Sequence, residues 1–298
     1  MTEKSIWPPP GLKPLPIDVV SVQSQVVYGR VGNNVAVPVL QAHELAVAAV
    51  PTVVLGNLPH YPTMHGGPVP IEWFAGYLED LRARGSLGKL RAVLSGFLGS
   101  PAQAGALGAW IAPFADSRRP LVVIDPVIGD RKEGVYVDPG LVDAYRRGLL
   151  ELADGLLPNE FELSRLAGGP IIDAQSALAA ARSLLVGHTQ WVAVTSALPG
   201  RWPDHRMQLL LATREQCWRV THARVDAEPK GAGDLFAAVL TARLLRGDAL
   251  TDAVCAACRR VIQALRRTQR AGSAVLLLPE WSAETELSDD VRIEALDA

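Results

Sequence analysis

The segment PKGAGDLFAAVL, residues 229 to 240, joins a glycine-rich turn to an apolar helix that starts directly after it. Asp234 lies at the start of that predicted helix, where the first backbone N–H groups have no partner within the helix. These N–H groups can surround an anion, and the helix dipole adds to the attraction. The turn therefore predicts a phosphate site beside a carboxylate, with an anion hole made of Gly231, Ala232 and Gly233.

An aspartate beside a bound phosphate makes chemical sense if it orients an alcohol and accepts its proton during phosphoryl transfer. The alternative is that Asp234 only caps a helix, since aspartate and glycine are common at helix starts. The chain contains neither a GxxxxGK[ST] loop nor a GxGxxG fingerprint that would indicate another nucleotide fold. The turn alone leaves both interpretations open.

Outward from this turn, short apolar β-rich runs alternate with segments of helical period. This pattern is typical of a parallel sheet covered by helices on both faces. It predicts an α/β fold, a doubly wound three-layer sandwich with a central, mostly parallel sheet. Predicted strands cover residues 18–22, 46–55, 92–94, 121–124, 155–157 and 191–195, with a hairpin at 207–212 and 217–224; predicted helices include 71–84, 102–114, 173–185, 235–245 and 250–266.

One domain accounts for most of the chain. We expect an extended, proline-rich tail over residues 1–16, a single α/β domain over 17–285 and an acidic tail over 286–298. No internal repeat or linker divides the central region.

The composition excludes several classes of partner. A net charge of −2 gives no general attraction to nucleic acid or anionic lipid, so we expect neither as a partner. The most apolar stretch, residues 45–55, is far shorter than the roughly 20 residues that span a bilayer. Three cysteines are too few for a secreted disulfide scaffold, and together these features predict a cytoplasmic protein.

Ligands of open parallel sheets bind at the carboxyl ends of the strands. Polar or small residues follow almost every predicted strand of this chain, which places the unusual chemistry on one rim. They are Gln23 and Ser24, Gly96, Asp125, Asn159, and Thr195 with Ser196.

The GAGD turn at the start of a late helix resembles the ribokinase superfamily. Six further segments resemble its vitamin B6 kinase branch in order and spacing, and the likeness covers about residues 17 to 270. They are SVQSQVVYGRVGN (21–33), NLPHY (57–61), LSGFLGS (94–100), DPVIGD (125–130), LPNEFEL (157–163) and VTS (194–196).

This resemblance implies an ATP-dependent kinase that phosphorylates the 5′-hydroxymethyl group of pyridoxal, pyridoxine or pyridoxamine, in salvage of pyridoxal 5′-phosphate. It implies that Asp234 is the catalytic base and that residues 231–233 form the anion hole. The expected cofactors are ATP and Mg²⁺, and the expected assembly is a homodimer.

Further roles follow from the resemblance alone. The implied metal residues are Asp125, Tyr136 and Glu162, and the implied nucleotide residues are Asp125, Asn159, Glu162, Thr195, Arg224 and Gly231. The implied vitamer residues are Ser24, Val27 and His60 together with Asp234, with Tyr28 packed nearby. Without the resemblance, Asp125 fits an Asp-Pro turn and Glu162 a first-turn helix acid equally well.

Three positions depart from the branch. Leu157 replaces a threonine, which argues against activation by a monovalent cation. Ala232 replaces the threonine of GTGD but keeps the backbone donors, and Phe97 replaces a tyrosine but keeps an aromatic wall. Two alternatives remain: a hydroxymethylpyrimidine kinase, and a non-catalytic vitamer-binding protein.

Overall fold

The computed structural model describes residues 11–58, 60–114, 119–198, 200, 202, 206–279 and 291–296. Twelve strands occur in these residues. They are β1 (Val19–Val26), β2 (Val47–Leu55), β3 (Gly66–Pro68), β4 (Ala92–Ser95), β5 (Leu121–Ile124), β6 (Gly129–Asp130), β7 (Gly134–Val135), β8 (Gly155–Leu156), β9 (Trp191–Val194), β10 (Arg206–Thr213), β11 (Cys217–Ala223) and β12 (Val291–Leu296).

Ten strands form one sheet in the order β12-β11-β10-β9-β8-β5-β4-β1-β2-β3. The six central strands, from β9 to β2 in this order, are parallel to one another. Strands β10, β11 and β12 extend one edge in antiparallel fashion, and β3 closes the other edge. The six predicted parallel strands and the later hairpin are therefore confirmed.

Helices cover both faces of the sheet. They are α1 (Asn33–Ala42), α2 (Ile71–Ala83), α3 (Pro101–Ile111), α4 (Gly140–Ala144), α5 (Leu150–Leu152), α6 (Glu160–Ala167), α7 (Ala174–Ser183), α8 (Ala232–Leu245) and α9 (Leu250–Arg270), with a π-helical turn at Tyr145–Leu149 between α4 and α5. The five predicted helices correspond to α2, α3, α7, α8 and α9.

Side chains of each central strand alternate between two hydrophobic clusters because successive residues of a strand face opposite sides. Val20 and Val22 of β1 pack in the cluster beneath α2, α3 and α7, which contains Phe74. Val19 packs in the other cluster, beneath α1, α8 and α9, which contains Leu235. The predicted three-layer sandwich is confirmed.

The predicted acidic tail at residues 286–298 is wrong in part. Val291–Leu296 form strand β12, which pairs along its whole length with β11. Gln216 Nε2 donates to the Leu296 carbonyl at 2.8 Å, and Arg219 forms an ion pair with Glu294 at 2.8 Å. The strand exists because β11 offers an edge to pair with, a partner that the local sequence does not reveal.

The structure describes only part of the extended N-terminal tail predicted for residues 1–16. Residues 1–10 lie outside the described residues, while 11–16 are exposed and contain neither helix nor strand. Within the described ranges, no helix combines the length and apolar character needed to cross a membrane.

Candidate active site

The ends of the parallel strands bring most of the predicted site residues to one rim. Asp125 directly follows β5, and its N–H donates to the Ser95 carbonyl at the end of β4. Asn159 and Thr195, which follow β8 and β9, form a parallel bridge with each other. The rim predicted from the sequence is therefore continuous across these four strands.

The glycine turn takes the conformation that an anion hole needs. Gly231 has φ +104° and precedes the first residue of α8, so the following N–H groups face outward from the helix start. A Cβ at Gly231 would lie 2.0 Å from the Arg30 carbonyl oxygen, and one at Gly233 would lie 3.5 Å from Asp125 Oδ2. The turn is thus pressed between the chain at Arg30 and the carboxylate of Asp125.

Asp234 lies in the first turn of α8 and is partly buried. Burial raises the pKa of its carboxyl, while the nearby backbone N–H of Gly32 acts in the opposite direction. Gly32 itself precedes α1, so the carboxylate lies where the N-terminal ends of α1 and α8 converge. Both helix dipoles favour the ionised, proton-accepting form.

Asp125 and Glu162 form an acidic pair close to Asp234. The pKa of Asp125 is raised well above its usual range by burial, and next by the charges of Glu162 and Asp234. Burial likewise raises the pKa of Glu162 to about 7, against the effect of three backbone hydrogen bonds. Three acids at one point repel each other, which disfavours their joint ionisation unless a cation is present.

Glu162 is held by backbone donors from two segments. Its Oε1 accepts from the N–H groups of Ile128 at 2.9 Å and Gly129 at 3.3 Å, and its Oε2 accepts from Asn159 at 2.8 Å. The Asn159 Oδ1 in turn accepts from the Glu162 N–H at 3.0 Å, which completes a capping box at the start of α6. Glu162 is therefore both the helix cap and part of the acidic pair.

The amide of Asn159 is also engaged, because its Nδ2 donates to the Gly129 carbonyl at 2.8 Å. Gly129 belongs to the β6–β7 hairpin, and a Cβ there would lie 2.1 Å from the Gly134 carbonyl oxygen. Asn159 thus anchors this hairpin to the rim, a structural task beside the nucleotide role that the resemblance implies.

Lys230, which precedes the glycine turn, connects it to the same hairpin. Its Nζ lies 3.6 Å from Asp130, 3.0 Å from Glu133 and 5.8 Å from the centre of the Tyr136 ring. Tyr136 is 43% exposed. Partial burial and the charges of Glu162 and Asp125 raise the pKa of its hydroxyl, so this side chain also faces the acidic pair.

The predicted vitamer residues differ in their surroundings. Ser24 is buried, and a Cβ at Gly32 would lie 2.4 Å from its Oγ, so Ser24 is in contact with the start of α1. Val27 is 82% exposed and Tyr28 is 60% exposed. His60 is exposed and its ring centre lies 4.6 Å from that of Tyr61, which in turn lies 6.0 Å from Tyr28.

Two predicted nucleotide residues have fewer contacts. Thr195 is partly exposed at the end of β9, and its N–H donates to the Pro158 carbonyl at 2.9 Å. Arg224 is exposed, and its guanidinium lies 6.0 Å from the centre of the Trp202 ring, with no contact to the acidic pair recorded. The structure therefore assembles the predicted phosphate residues but leaves Arg224 outside that cluster.

The oxygen donors on the rim fit a hard divalent cation. Within the described ranges, no group of three or more His, Cys, Asp and Glu side chains could hold a metal alone. The donors present are two carboxylates whose mutual repulsion a cation would relieve. Mg²⁺ suits this arrangement, since it takes one or two carboxylates and completes its shell with water and phosphate oxygens.

Sequence reasoning missed two contributors to the site. Gly32 and the asparagines after it start α1, a helix that was not among the predicted ones and that contains Pro38. Lys230, in the same PKGAGD segment as Asp234, had no predicted role. The run GNN before an apolar segment is a helix-start signal that would have indicated α1.

Comparison with known proteins identifies the family. Over 271 residues the chain is 56% identical to the pyridoxine/pyridoxal/pyridoxamine kinase of Bordetella bronchiseptica, which covers 91% of this chain and 96% of that relative. This chain belongs to the pyridoxine/pyridoxal/pyridoxamine kinase family. It is also 35% identical, over 88% of its length and 91% of that relative, to a pyridoxal kinase of Rubrobacter xylanophilus.

Solved structures place the same family on this fold. The pyridoxal kinase of Leishmania donovani in complex with ADP and pyridoxine has a TM-score of 0.84 and 28% sequence identity, covering 94% of this chain and 99% of that one. Residues 88–278 match the family model described as phosphomethylpyrimidine kinase. The matched residues include the glycine turn and the acidic pair of this chain.

Two residues that depart from the B6 kinase branch, Leu157 and Phe97, are buried or partly buried. Leu157 is buried in the cluster beneath α1, α8 and α9, and its hydrocarbon side chain lacks the hydroxyl of a threonine. Phe97 is partly buried, and its carbonyl accepts from Thr52 Oγ1 at 2.6 Å. That Leu157 argues against monovalent-cation activation stays a prediction.

Proposed function

We propose that this chain transfers the γ-phosphoryl group of ATP to the 5′-hydroxymethyl group of pyridoxal, pyridoxine and pyridoxamine, as a salvage kinase for pyridoxal 5′-phosphate. The observation that carries the proposal is Asp234, whose carboxylate lies beside the glycine turn at the start of α8. The relatives named for these three vitamers, at 56% identity, support the choice of substrate.

In this proposal Asp234 accepts the hydroxyl proton of the vitamer. The new bond joins the vitamer oxygen to the γ-phosphorus, and the bond from that phosphorus to the bridging oxygen of ADP breaks. The N–H groups of residues 231–233 stabilise the charge on the transferring oxygens. Such preorganised donors are effective because phosphoryl transfer depends mainly on positioning and electrostatics.

The acidic pair has a different role in the proposal. Asp125 and Glu162 would hold Mg²⁺, directly or through water, with Tyr136 beside them. When bound, Mg²⁺ neutralises charge on the β- and γ-phosphates. Asn159, Thr195 and Arg224 complete the proposed nucleotide residues, and Gly231 serves both the nucleotide and the anion hole.

The proposed vitamer side consists of Ser24, Val27 and His60. The buried Ser24 hydroxyl can hydrogen-bond the pyridine ring, and the exposed side chains of Val27 and Tyr28 offer an apolar surface that a flat ring would cover. His60 lies beside Tyr61 on the loop that faces Tyr28. These contacts would select a substituted pyridine over a free sugar.

The alternatives are not favoured. A hydroxymethylpyrimidine kinase is suggested by the description of the family model, but the relatives with 53% to 56% identity are B6 vitamer kinases. A non-catalytic vitamer-binding protein would have no need for the carboxylate of Asp234 beside the anion turn.

A substrate panel tests the proposal. Purified protein is incubated with MgATP and, separately, pyridoxal, pyridoxine, pyridoxamine and hydroxymethylpyrimidine, and the phosphorylated products are quantified. We expect turnover of one or more B6 vitamers. Turnover of the pyrimidine alone would overturn the substrate assignment, and vitamer binding without any turnover would overturn the assignment as an enzyme.

The homodimer, which the resemblance implies, and the cytoplasmic location, which the composition predicts, are also part of the proposal. Sedimentation equilibrium of the purified chain tests the first, because a mass of one chain at micromolar concentration would contradict it. Cell fractionation tests the second.

A further inference from the structure

The chain that follows β4 runs along the rim beside the end of β1. These two strands are parallel neighbours, and the Gly96 N–H donates to the Val22 carbonyl at 3.0 Å. A Cβ at Gly96 would lie 2.7 Å from Gln23 Oε1, so the two chains stay in contact just beyond their last paired residues. The next residue on each chain is Phe97 after β4 and Ser24 in β1. Phe97 therefore lies beside a residue of the proposed vitamer site.

The backbone after β4 is fastened to strands β2 and β3. The Phe97 carbonyl accepts from Thr52 Oγ1 at 2.6 Å. A Cβ at Gly99 would lie 3.0 Å from the Thr52 carbonyl oxygen and 3.1 Å from Pro68 Cβ, so Gly99 is pressed against both strands. We call residues 97–99 the wall segment, because Phe97 keeps the aromatic wall that the resemblance implies for the vitamer.

Gln103 joins the wall segment to β2 and to the chain that follows β3. It lies in the first turn of α3 and is completely buried. Its Oε1 accepts from the Gly99 N–H at 2.8 Å, and its Nε2 donates to the carbonyls of Thr52 at 2.9 Å and Val69 at 3.1 Å. Both amide hydrogens and the amide oxygen are therefore used.

The local sequence explains how Gln103 reaches these partners. Ser100 and Gln103 have the S-x-x-Q spacing of a capping box, and Ser100 Oγ accepts from the Gln103 N–H at 3.3 Å. In a capping box the glutamine side chain returns to the N–H of the N-cap residue. Here it reaches one residue further back, to Gly99, and its amide nitrogen binds the two carbonyls from other segments. A helix-capping position thus connects three segments of the chain.

We propose that Gln103 is a positioning residue for the vitamer site: its amide holds the wall segment at a fixed distance from β2 and β3. The loop between these two strands, residues 56–65, carries His60, so both sides of the site share this connection. Because Gln103 is completely buried, it touches no substrate and acts through Phe97. This role refines how the vitamer is bound and rests on the proposed function.

The physical reason is the short range of the contacts between a flat ring and an apolar wall. A gap of about 0.5–1 Å already loses about a quarter to a half of the dispersion energy of such a contact. Without the amide of Gln103, the Gly99 N–H and the Val69 carbonyl lose their bonds to it, and leaving buried polar groups unpaired is costly. The wall segment would shift and weaken vitamer binding, whereas the anion hole and the acidic pair belong to other segments.

Steady-state kinetics of Gln103→Met test the proposal. Methionine is close to glutamine in size but has no amide to donate or accept these bonds. The KM for pyridoxal, the KM for ATP and kcat are measured for the wild type, Gln103→Met, Phe97→Ala and the double variant. Thermal unfolding of each protein is recorded alongside.

The matched control is Thr189→Val, a substitution of similar shape at the other end of the sheet. Thr189 is completely buried ahead of β9, and its Oγ1 donates to the carbonyls of Leu150 at 2.6 Å and Ala153 at 3.2 Å. Its loss therefore also breaks buried bonds between separate segments, but away from the rim. It separates a general loss of stability from a change at the vitamer site.

We expect Gln103→Met to raise the KM for pyridoxal about threefold to tenfold, with kcat and the KM for ATP within about twofold. Thr189→Val should lower the unfolding temperature but leave all three constants unchanged. Phe97→Ala alone should also raise the KM for pyridoxal. In that background the change at Gln103 should add less than about twofold, because the group that it positions is gone.

Three results would overturn the proposal: an unchanged KM for pyridoxal in Gln103→Met, an equal rise in the Phe97→Ala background, or the same rise in Thr189→Val. If Gln103→Met does not fold, Gln103→Glu takes its place. A buried carboxyl favours its neutral form, which keeps the acceptor for the Gly99 N–H and one donor, so its KM for pyridoxal should rise by a smaller factor.

Failure of this proposal and failure of the proposed function are distinguishable. A wild type that turns over no B6 vitamer contradicts the proposed function itself. An active wild type whose KM for pyridoxal does not respond to Gln103 contradicts only the positioning role.

Discussion

At the phosphate end of the rim, Glu162 accepts three backbone hydrogen bonds and Gly231 lies against the Arg30 carbonyl. At the vitamer end, Val27 is 82% exposed and Tyr28 is 60% exposed, and the rings of His60 and Tyr28 both lie against the Tyr61 ring. One end is held by directional bonds, and the other presents aromatic surface.

The difference follows the chemistry of the two ligands. Phosphoryl transfer needs charge placed in advance, and rigid backbone donors supply it without reorganisation during the reaction. A flat aromatic vitamer gains most of its binding from apolar contact, which tolerates small displacements. Substitutions at the phosphate end should therefore reduce kcat, and those at the vitamer end should raise KM.

The largest effect is expected at Gly231. In Gly231→Ala, a Cβ would lie 2.0 Å from the Arg30 carbonyl oxygen at φ +104°, so the turn must move and its N–H groups lose their direction. We expect kcat/KM to fall about 100-fold to 1000-fold, the loss seen when an anion-hole donor is removed. Steady-state kinetics with pyridoxal and MgATP measure it.

The matched control is Gly272→Ala after α9, where φ is +58° and nothing lies within 4 Å of the new Cβ. Gly272→Ala introduces the same kind of backbone strain, an alanine with positive φ, but its Cβ does not clash with the rim. It therefore separates the effect of the clash from the effect of the strain. Wild-type kinetics for Gly231→Ala would mean that the turn is not preorganised. The phosphate end would then not be the more rigid of the two ends, which would contradict the comparison with the vitamer end.

A smaller effect is expected for Glu162→Gln. The new NH₂ group would face either the Asn159 N–H or those of Ile128 and Gly129, which leaves donors opposed to donors. We expect a loss of about 1–3 kcal/mol in unfolding free energy. We also expect a higher Mg²⁺ concentration for half-maximal rate.

Urea unfolding and Mg²⁺ titration of the initial rate provide the two measurements for Glu162→Gln. Glu79→Gln on the exposed face of α2 is the control, since its carboxylate is largely in solvent. An unchanged Mg²⁺ requirement would remove Glu162 from the proposed metal residues, even if stability falls.

The smallest effect is expected at the vitamer end. His60→Ala removes a ring whose centre lies 4.6 Å from that of Tyr61, a contact worth about 0.5–1.5 kcal/mol. We expect the KM for pyridoxal to rise about twofold to tenfold with kcat unchanged, while exposed His188→Ala, ahead of β9, changes neither. A fall in kcat without a change in KM would mean that His60 belongs with the phosphate end.

Much of the fold could be predicted because its signals are local. Each of the six parallel strands is a short apolar run bounded by turn residues, and helices such as α2 and α9 show the period of a partly buried helix. Helix α1 was missed because Pro38 indicates a break. In the structure, the Asn34 carbonyl that Pro38 cannot bond accepts from Arg30 Nη1 at 3.2 Å.

Strand β12 and the β6–β7 hairpin depend on partners distant in sequence, β11 for the first and Glu162 with Asn159 for the second. The candidate site shows the same division. Asp234 and the glycines after Lys230 are local motifs, whereas the contact of the Arg30 carbonyl with Gly231 joins segments far apart in the sequence. Sequence patterns do not show such a contact.

The most direct test of the central claim is kcat for Asp234→Asn with pyridoxal and MgATP, measured beside Asp226→Asn, an exposed change ahead of α8. Asparagine keeps the size of the side chain but cannot accept the hydroxyl proton. We predict a fall in kcat of about 100-fold to 10,000-fold with vitamer affinity nearly unchanged and Asp226→Asn fully active. Retention of wild-type kcat by Asp234→Asn would contradict the assignment of the catalytic base.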